Sequence, residues 1–528
     1  IVALGTQVKD LQAEIRQPWE PAKPVTDLGD KKESNDENLA AWKAGELAHE
    51  PPAFVYCDPT ASEGKVVTIK EIKLPKAEQT HEVCFEPVTN CVFVSQMSNS
   101  VLVRIPIDGD GFLIDNQDSW KVGTVDENGD GISGMHNLSL SYKHPGCLWI
   151  TLQHSNQLML VDVRAGSTLK VLKIIEVPTA FTDPDTGAQK IIGGPHCMRE
   201  CPYTGDIWVA LKGALEGSPC GVRRASSCCD AGKLKANMSR LKEKGMDTPA
   251  PDGWAVWLLT PEKYDAKAPD GAKGGTLFPS KPSPPMLTLD NDGNCYVAQD
   301  GADTILHIDR KTAKCQHLDV PWPSEHFPAW HAQAGEDDPQ GGAHPRITGP
   351  AIATSPDGAI WCSLLGSYNA LARIDPTTQK RSLYRFGGPA WVRQVRLIHL
   401  AFSSRTGTDT HNRIYALASD LLDDEAINAV VVFRMDDTWT KCLGRRIIPL
   451  PTQDCACHRI AFIDAQIEDR PKRSRSVVLT ELQSSKLLQI KVRNLTQLSL
   501  LEETVHTDED GFEVHTYIAT TEESGMHC

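Results

Sequence analysis

The sequence predicts an all-β protein, a seven-bladed β-propeller of four-stranded blades. A unit of strand, turn and strand recurs along the chain; its clearest copy is GPAIATSPDGAIWCSLLGSYNALARIDPTTQKRSLYRF at 349–386. In that copy Pro356-Asp357-Gly358 separates two apolar segments, which indicates a hairpin because glycine accepts a positive φ. Seven such units, about 50–60 residues apart, are typical of a propeller.

The order of the elements follows from these units. Residues 1–64 are polar and rich in proline and charge, and we predict that they form an irregular N-terminal arm. A single strand at 65–74 precedes the first unit and is expected to complete the last blade, which removes a free sheet edge. The propeller is predicted to occupy 65–528, with long loop inserts at about 213–252 and 317–346.

Composition limits the partners. The 528 residues include 54 Lys and Arg against 69 Asp and Glu, a formal net charge of −15, and no long basic run is present. Binding to nucleic acid or to an anionic membrane surface is therefore not expected. No apolar stretch approaches the roughly 20 residues that span a bilayer. The predicted partner is a small-molecule substrate, and the sequence leaves the oligomeric state open.

Cysteines and glycosylation patterns bear on the compartment. The chain has 16 cysteines, including Cys228-Cys229 and the run Cys455-Ala456-Cys457. Acceptor patterns for N-glycosylation begin at Asn137, Asn237 and Asn494. Together these features favour a secreted or extracytoplasmic protein with some disulfides over a cytoplasmic one. Glycosylation of Asn137 is not expected, because Asn137 adjoins a predicted channel histidine.

Two of the units resemble the repeats of the virginiamycin B lyase (streptogramin lyase) family. They are GPAIATSPDGAIWCSLLGSYNALARIDPTTQK and TLDNDGNCYVAQDGADTILHIDRKT. The family repeat runs Gly-Pro-His-Gly-Ile, an apolar strand, Pro-Asp-Gly, Leu-Trp-Phe-Thr-Glu, a small loop and Ile-Gly-Arg-Ile-Asp. The resemblance is strong over blades four and five and looser elsewhere. It implies a propeller and a metal-assisted lyase that opens an ester-linked ring by elimination, using a histidine base and Mg²⁺ held by acidic residues.

Histidine recurs at one position of the unit. The residue before the first apolar strand is, from blade one to blade seven, His81, His136, His196, Pro285, Pro350, His399 and His458. Because the first strand of every blade lines the central channel, these five histidines are predicted to converge near one axial point. Neutral imidazoles bind Fe, Cu, Zn and Mn, so the position predicts a metal site. Acid–base or substrate-binding histidines without a metal, and a polar plug of the channel, are the alternatives.

Carboxylates are scarce at the same end of the channel. Two residues before His458 the chain has Ala456, and of the Thr-Glu pairs that end the second strand in the family repeat only Thr480-Glu481 is present. Because Mg²⁺ prefers oxygen ligands, a divalent transition metal is favoured over Mg²⁺. The resemblance implies that His399 and His458 are catalytic and that Glu481 is a metal carboxylate; Glu481 could equally orient an imidazole.

A second metal site is suggested by DENGDGISG, in which Asp126, Asn128 and Asp130 have the spacing of a calcium loop. The twelfth position holds Asn137 instead of the bidentate glutamate, so a tight surface turn is the alternative.

These features lead to one functional prediction with two alternatives. The first is a metal-dependent enzyme that acts on a small organic molecule in the channel, by elimination or ring opening of an ester or lactone. The second is a histidine-ligated iron or copper oxygenase, which matches the scarcity of carboxylates. The third is a non-catalytic binding or scaffolding propeller.

Overall fold

The computed structural model describes seventeen stretches of the chain. They are 67–123, 133–164, 169–184, 186–212, 253–269, 273–281, 284–299, 304–319, 348–364, 370–386, 395–403, 412–421, 426–452, 455–466, 473–492, 499–507 and 513–519. The predicted arm, most of both inserts and the predicted calcium loop lie outside the described residues.

Seven antiparallel four-stranded units surround one axis, as the sequence predicts. The first strand among the described residues is β1 (Val67–Lys73). Blades one to three contain β2 (Thr80–Glu86), β3 (Cys91–Gln96), β4 (Val101–Pro106), β5 (Asp118–Lys121); β6 (Met135–Leu140), β7 (Cys147–Leu152), β8 (Gln157–Asp162), β9 (Lys170–Glu176); and, after the small hairpin β10 (Ala180–Thr182) and β11 (Gln189–Ile191), β12 (Pro195–Glu200), β13 (Ile207–Leu211), β14 (Ala255–Leu259), the 3₁₀ turn η1 (Pro261–Lys263) and β15 (Gly275–Pro279).

Blades four to seven follow the same order from the channel outward. Their strands are β16 (Met286–Leu289), β17 (Cys295–Ala298), β18 (Thr304–Ile308), β19 (Cys315–Asp319); β20 (Thr348–Thr354), β21 (Ile360–Leu364), β22 (Ala370–Ile374), β23 (Arg381–Phe386); β24 (Leu397–Ser403), β25 (Asn412–Ala418), β26 (Ala429–Met435), β27 (Cys442–Pro449); and β28 (Cys457–Gln466), β29 (Arg473–Glu481), β30 (Lys486–Val492). Strand β19 therefore includes the first three residues of the second insert as predicted, 317–319.

The ring is closed by the N-terminal strand, which confirms the prediction. Strand β1 pairs antiparallel with β30 from Val67 opposite Val492 to Lys73 opposite Lys486, and so supplies the fourth strand of blade seven. The predicted hairpin of blade five is also confirmed: Gly358 has φ +86° between β20 and β21.

The hydrophobic core is a series of layers between adjacent blades. Phe93 and Leu102 of blade one pack with Leu148 and Ile150 of blade two, and comparable layers lie at the other blade boundaries. The second strands, such as β3 and β7, therefore bury both faces, whereas outer strands such as β5 and β9 are largely exposed. The innermost strands bury polar side chains as well, among them His81, His136, His196 and His458. The axis is therefore the part of the fold where polar and ionisable side chains can bind or react with a ligand.

A C-terminal hairpin was not predicted. Strand β31 (Ser499–Thr507) pairs with β32 (Glu513–Ala519), and the hairpin lies between the outer strands of blades five and six. Strand β32 runs parallel to β23, and β31 pairs antiparallel with β27. The hairpin thus joins two blades into one ten-stranded sheet, and the predicted propeller boundary at 528 includes a segment that belongs to no blade.

Eleven cysteines lie among the described residues, and all are free thiols. The predicted disulfides are therefore not found in this part of the chain. Of the predicted glycosylation sites, Asn137 is fully buried, while Asn237 and Asn494 lie outside the described residues. Within the described residues, no helix has the length and apolar character needed to cross a membrane.

Candidate functional site

The innermost strands of four consecutive blades, seven, one, two and three, each contain a β-bulge at the histidine. In blade one, Thr80 faces Gln96 and Val83 faces Val94, so His81 and Glu82 together oppose the single residue Ser95. The same interruption occurs at His136, His196 and His458. A bulge adds one residue to a strand and re-aims its side chain, which is why bulges are frequent beside functional sites.

The four bulged histidines form a continuous arc, here called the histidine cluster (His81, His136, His196 and His458). Ring centres are 4.0 Å apart between His458 and His81, and 3.7 Å apart between His81 and His136 and between His136 and His196. The prediction that these positions converge is confirmed for these four residues.

Burial keeps three residues of the histidine cluster neutral. It lowers the pKa of His81, His196 and His458 well below the usual value of 6.5, and repulsion from His136 lowers each further. Arg459 adds repulsion on all three rings, and on His458 its effect exceeds that of His136. Neutral imidazole is the form that acts as a base or as a ligand.

Backbone carbonyls fix two of the tautomers. His196 Nδ1 lies 2.6 Å from the Pro285 carbonyl oxygen, and His458 Nδ1 lies 3.3 Å from that of His81. Because a carbonyl only accepts, Nδ1 carries the proton in both rings and Nε2 keeps its lone pair.

Gly194 enables the approach of blade three to blade two, since a Cβ there would overlap the Gln153 carbonyl oxygen.

His399 does not occupy the predicted position. In blade six, Leu397 faces Ala418 and His399 faces Leu417, so the extra residue of the bulge is Ile398. His399 therefore corresponds to Arg459, one residue past the histidine position. It is only partly buried, its Nδ1 lies 3.1 Å from the Ile460 carbonyl oxygen, and burial followed by repulsion from Arg459 lowers its pKa.

Hydroxyl groups that the sequence analysis overlooked hold the arc together. Thr480 Oγ1 donates to the His81 carbonyl at 2.8 Å and accepts from the Arg459 amide at 3.2 Å. Ser95 makes the same link between blades one and two, and Thr151 between blades two and three. Each of these hydroxyl residues is the next-to-last residue of the second strand of its blade, and the blade that follows carries His81, His136 or His196. This recurrence is the signal by which the sequence could have identified them.

Replacing Thr480 with valine is expected to destabilise the protein by about 1–3 kcal/mol. The isosteric change leaves the buried His81 carbonyl and Arg459 amide without the hydroxyl that links them. Thr480→Ser keeps the hydroxyl and is expected to lie much closer to wild type. Urea unfolding at pH 7.5 measures both; equal stability of the valine and serine variants would show that the link contributes nothing.

Among the described residues, Glu481 makes no hydrogen bond to the histidine cluster. It ends β29 opposite Cys457 and Lys486, and its Oε2 accepts a hydrogen bond from Ser484. Burial raises its pKa to about 7, against the attraction of Lys486. Cys455, whose thiol pKa is raised well above 9 by burial, lies near this carboxyl. The proposed role of Glu481 as partner of the histidines remains a prediction without a contact to support it.

The fit of a metal was tested on the geometry of the side chains. Imidazole nitrogen suits a transition metal, and His81 has both ring nitrogens buried without a hydrogen bond in the described part of the chain. The four rings, however, pack against one another, and the described residues contain no group of three or more His, Cys, Asp or Glu side chains arranged to hold an ion. As arranged, the cluster is not a ligand set. Asp126, Asn128 and Asp130 lie outside the described residues.

The fold and the site define a seven-bladed propeller with neutral histidines at its axis. In fold it is similar to virginiamycin B lyase from Staphylococcus aureus, at 13% identity over 80% of this chain and 99% of that chain, with a TM-score of 0.44. Hydrazine synthase from Kuenenia stuttgartiensis gives 10% identity over 83% and 99%, TM-score 0.46. The WD40 repeats of RRP9 give 8% over 80% and 97%, TM-score 0.48. No family model and no curated protein sequence matches the chain.

Proposed function

We propose that the protein is an enzyme that acts on a small organic molecule at the histidine cluster, by elimination or ring opening of an ester or lactone. The observation that supports the proposal is the contact of four imidazoles from four consecutive blades, at 3.7–4.0 Å between ring centres. Several titratable rings with lowered pKa values are costly to bury together, and such groups concentrate at functional sites.

His458 is the proposed base. Its Nδ1 proton is held by the His81 carbonyl, so Nε2 is free to accept a proton from the carbon next to a substrate carbonyl. The electron pair of that C–H bond forms a C=C bond, and the C–O bond to the ester breaks. The leaving group departs as a carboxylate. Because the side chains do not form a ligand set as arranged, no step is assigned to a metal.

The test is turnover of a panel of lactones and cyclic depsipeptides by the full chain, followed by mass spectrometry. Elimination opens the ring without changing the mass, whereas hydrolysis adds one water. His458→Gln is expected to lower kcat by about a hundredfold or more, since positioned general bases contribute about 10²–10⁴. The exposed His144 provides the matched control, His144→Gln, which is expected to retain full activity.

Two results would overturn the proposal. Full activity in His458→Gln would show that His458 is not the general base. Near-stoichiometric iron, copper, zinc or manganese in protein purified without a tag or added metal means that the rings turn to form a ligand set. The metal-dependent and oxygenase alternatives would then replace acid–base chemistry.

A further inference from the structure

A charged layer follows the histidine cluster along the inner strands. Arg459 is 1% exposed and Glu82 is 5% exposed; Arg459 Nε lies 3.4 Å from Glu82 Oε2. The same Glu82 oxygen accepts a hydrogen bond from Asn137 Nδ2 at 2.8 Å. Asn137 Oδ1 in turn lies 3.4 Å from Nη1 of Arg199, which is partly buried. Residues from blades seven, one, two and three thus form one polar network next to the cluster.

Arg459 crosses the axis. It belongs to blade seven, yet its Nη2 lies 3.6 Å from the Met286 sulfur of blade four, on the far side of the ring. A thioether is a weak acceptor, so these N–H groups face a poor partner. A stronger acceptor placed in the channel would gain a charge-assisted hydrogen bond from them.

The network has more cations than anions. Within the described residues, Arg459 pairs with Glu82, whereas Arg199 pairs with no carboxylate and bonds to Asn137 and the Met198 carbonyl. Glu86 accepts from the amides of Val88 and Thr89.

Glu200 is engaged elsewhere too, accepting from Ser141, the Lys143 amide and Trp149. Burial keeps His81, His196 and His458 neutral by lowering their pKa values. Two guanidinium groups therefore share one carboxylate.

We propose that the channel binds an organic monoanion whose carboxylate is held by Arg199 and Arg459 next to the histidine cluster. This inference rests on the proposed function, because it names the groups at the same site that receive the carboxylate released by the elimination. One excess positive charge matches a carboxylate better than a phosphate dianion. Guanidinium groups bind carboxylates through paired N–H donors, which gives the site its selectivity.

Isothermal titration calorimetry of the full chain with butyrate tests the site, with butyramide as the neutral isostere and inorganic phosphate as the dianion. Butyrate is expected to bind at one site, at least tenfold more tightly than either competitor. Arg199→Gln is expected to weaken butyrate binding at least tenfold, and Arg199→Lys less. Arg164, which pairs with Asp162 on the surface, gives the control Arg164→Gln, with unchanged affinity.

Glu82→Gln provides a second variant in case Arg199→Gln does not fold. It keeps an oxygen for Asn137 and removes the one competing carboxylate, so butyrate affinity is expected to rise. Equal binding of butyrate and butyramide, or unchanged butyrate affinity in both variants, overturns the proposal, as does tighter binding of phosphate. His458→Gln should keep butyrate binding while losing turnover. Binding without any turnover therefore counts against the proposed function alone, and turnover without butyrate binding counts against the anion site alone.

Discussion

The free energy of unfolding is expected to fall steeply as the pH drops below about 6.5. His81, His196 and His458 stay neutral in the folded protein because burial lowers their pKa values, whereas in the unfolded chain they take up protons near their ordinary pKa. Below 6.5 the unfolded state therefore binds more protons than the folded state, and acid favours unfolding. Each such histidine contributes about 1.4 kcal/mol per pH unit, and the three together about 4 kcal/mol.

Urea unfolding at pH 7.5, 6.5 and 5.5 measures this slope. His81→Gln removes one of these protons and is expected to make the slope shallower, by up to about 1.4 kcal/mol per pH unit at the acid end. His144→Gln, at an exposed position outside the cluster, is expected to leave the slope as in wild type. An identical acid slope in wild type and His81→Gln would mean that His81 ionises in the folded protein.

The blades were predictable because their signals are local. A strand is recognised from a few residues that alternate between apolar and polar or are all apolar. A turn such as Pro356-Asp357-Gly358 is recognised from its proline and glycine. Repetition then predicted the number of blades and a single closing strand at 65–74, which is found at 67–73. The hairpin at 499–519 was not predictable in the same way, because its partners β23 and β27 lie far from it along the chain and pairing leaves no local mark.

The site was predictable only as far as the repeat pattern reaches. Four histidine positions recur at matching places in their units and come together in the structure. His399 misled the alignment because a bulge is defined by pairing with the second strand, and a shift of one residue placed Ile398 in its position. Glu481 was chosen by resemblance to a family motif, yet the residue beside it, Thr480, makes the contact with the cluster. Arg199 and Arg459 carry no repeat signal, because a charge network across the axis uses a different side chain from each blade.

Replacing Glu481 with glutamine is expected to stabilise the protein at alkaline pH by about 3 kcal/mol. Burial raises the pKa of Glu481 to about 7 from a usual value of 4.5. Between those values the unfolded chain releases this proton while the folded protein retains it, so the stability from the protonated carboxyl is full below 4.5 and is lost as the pH rises through 7. A difference of this size corresponds to about 3 kcal/mol.

Glutamine cannot ionise, so Glu481→Gln is expected to match wild type near pH 4.5 and to exceed its stability at pH 8. The sign is opposite to that of the histidine cluster, so the two effects are separable by urea unfolding on the two sides of neutrality. The exposed Glu176 gives the matched control, Glu176→Gln, with no gain at pH 8. A glutamine variant less stable than wild type at pH 8 would show that the charged form of Glu481 is held by a favourable contact. In that case a favourable contact of the charged carboxylate, and not the cost of burying it, would determine how the end of β29 beside Cys455 and Cys457 affects stability at pH 8.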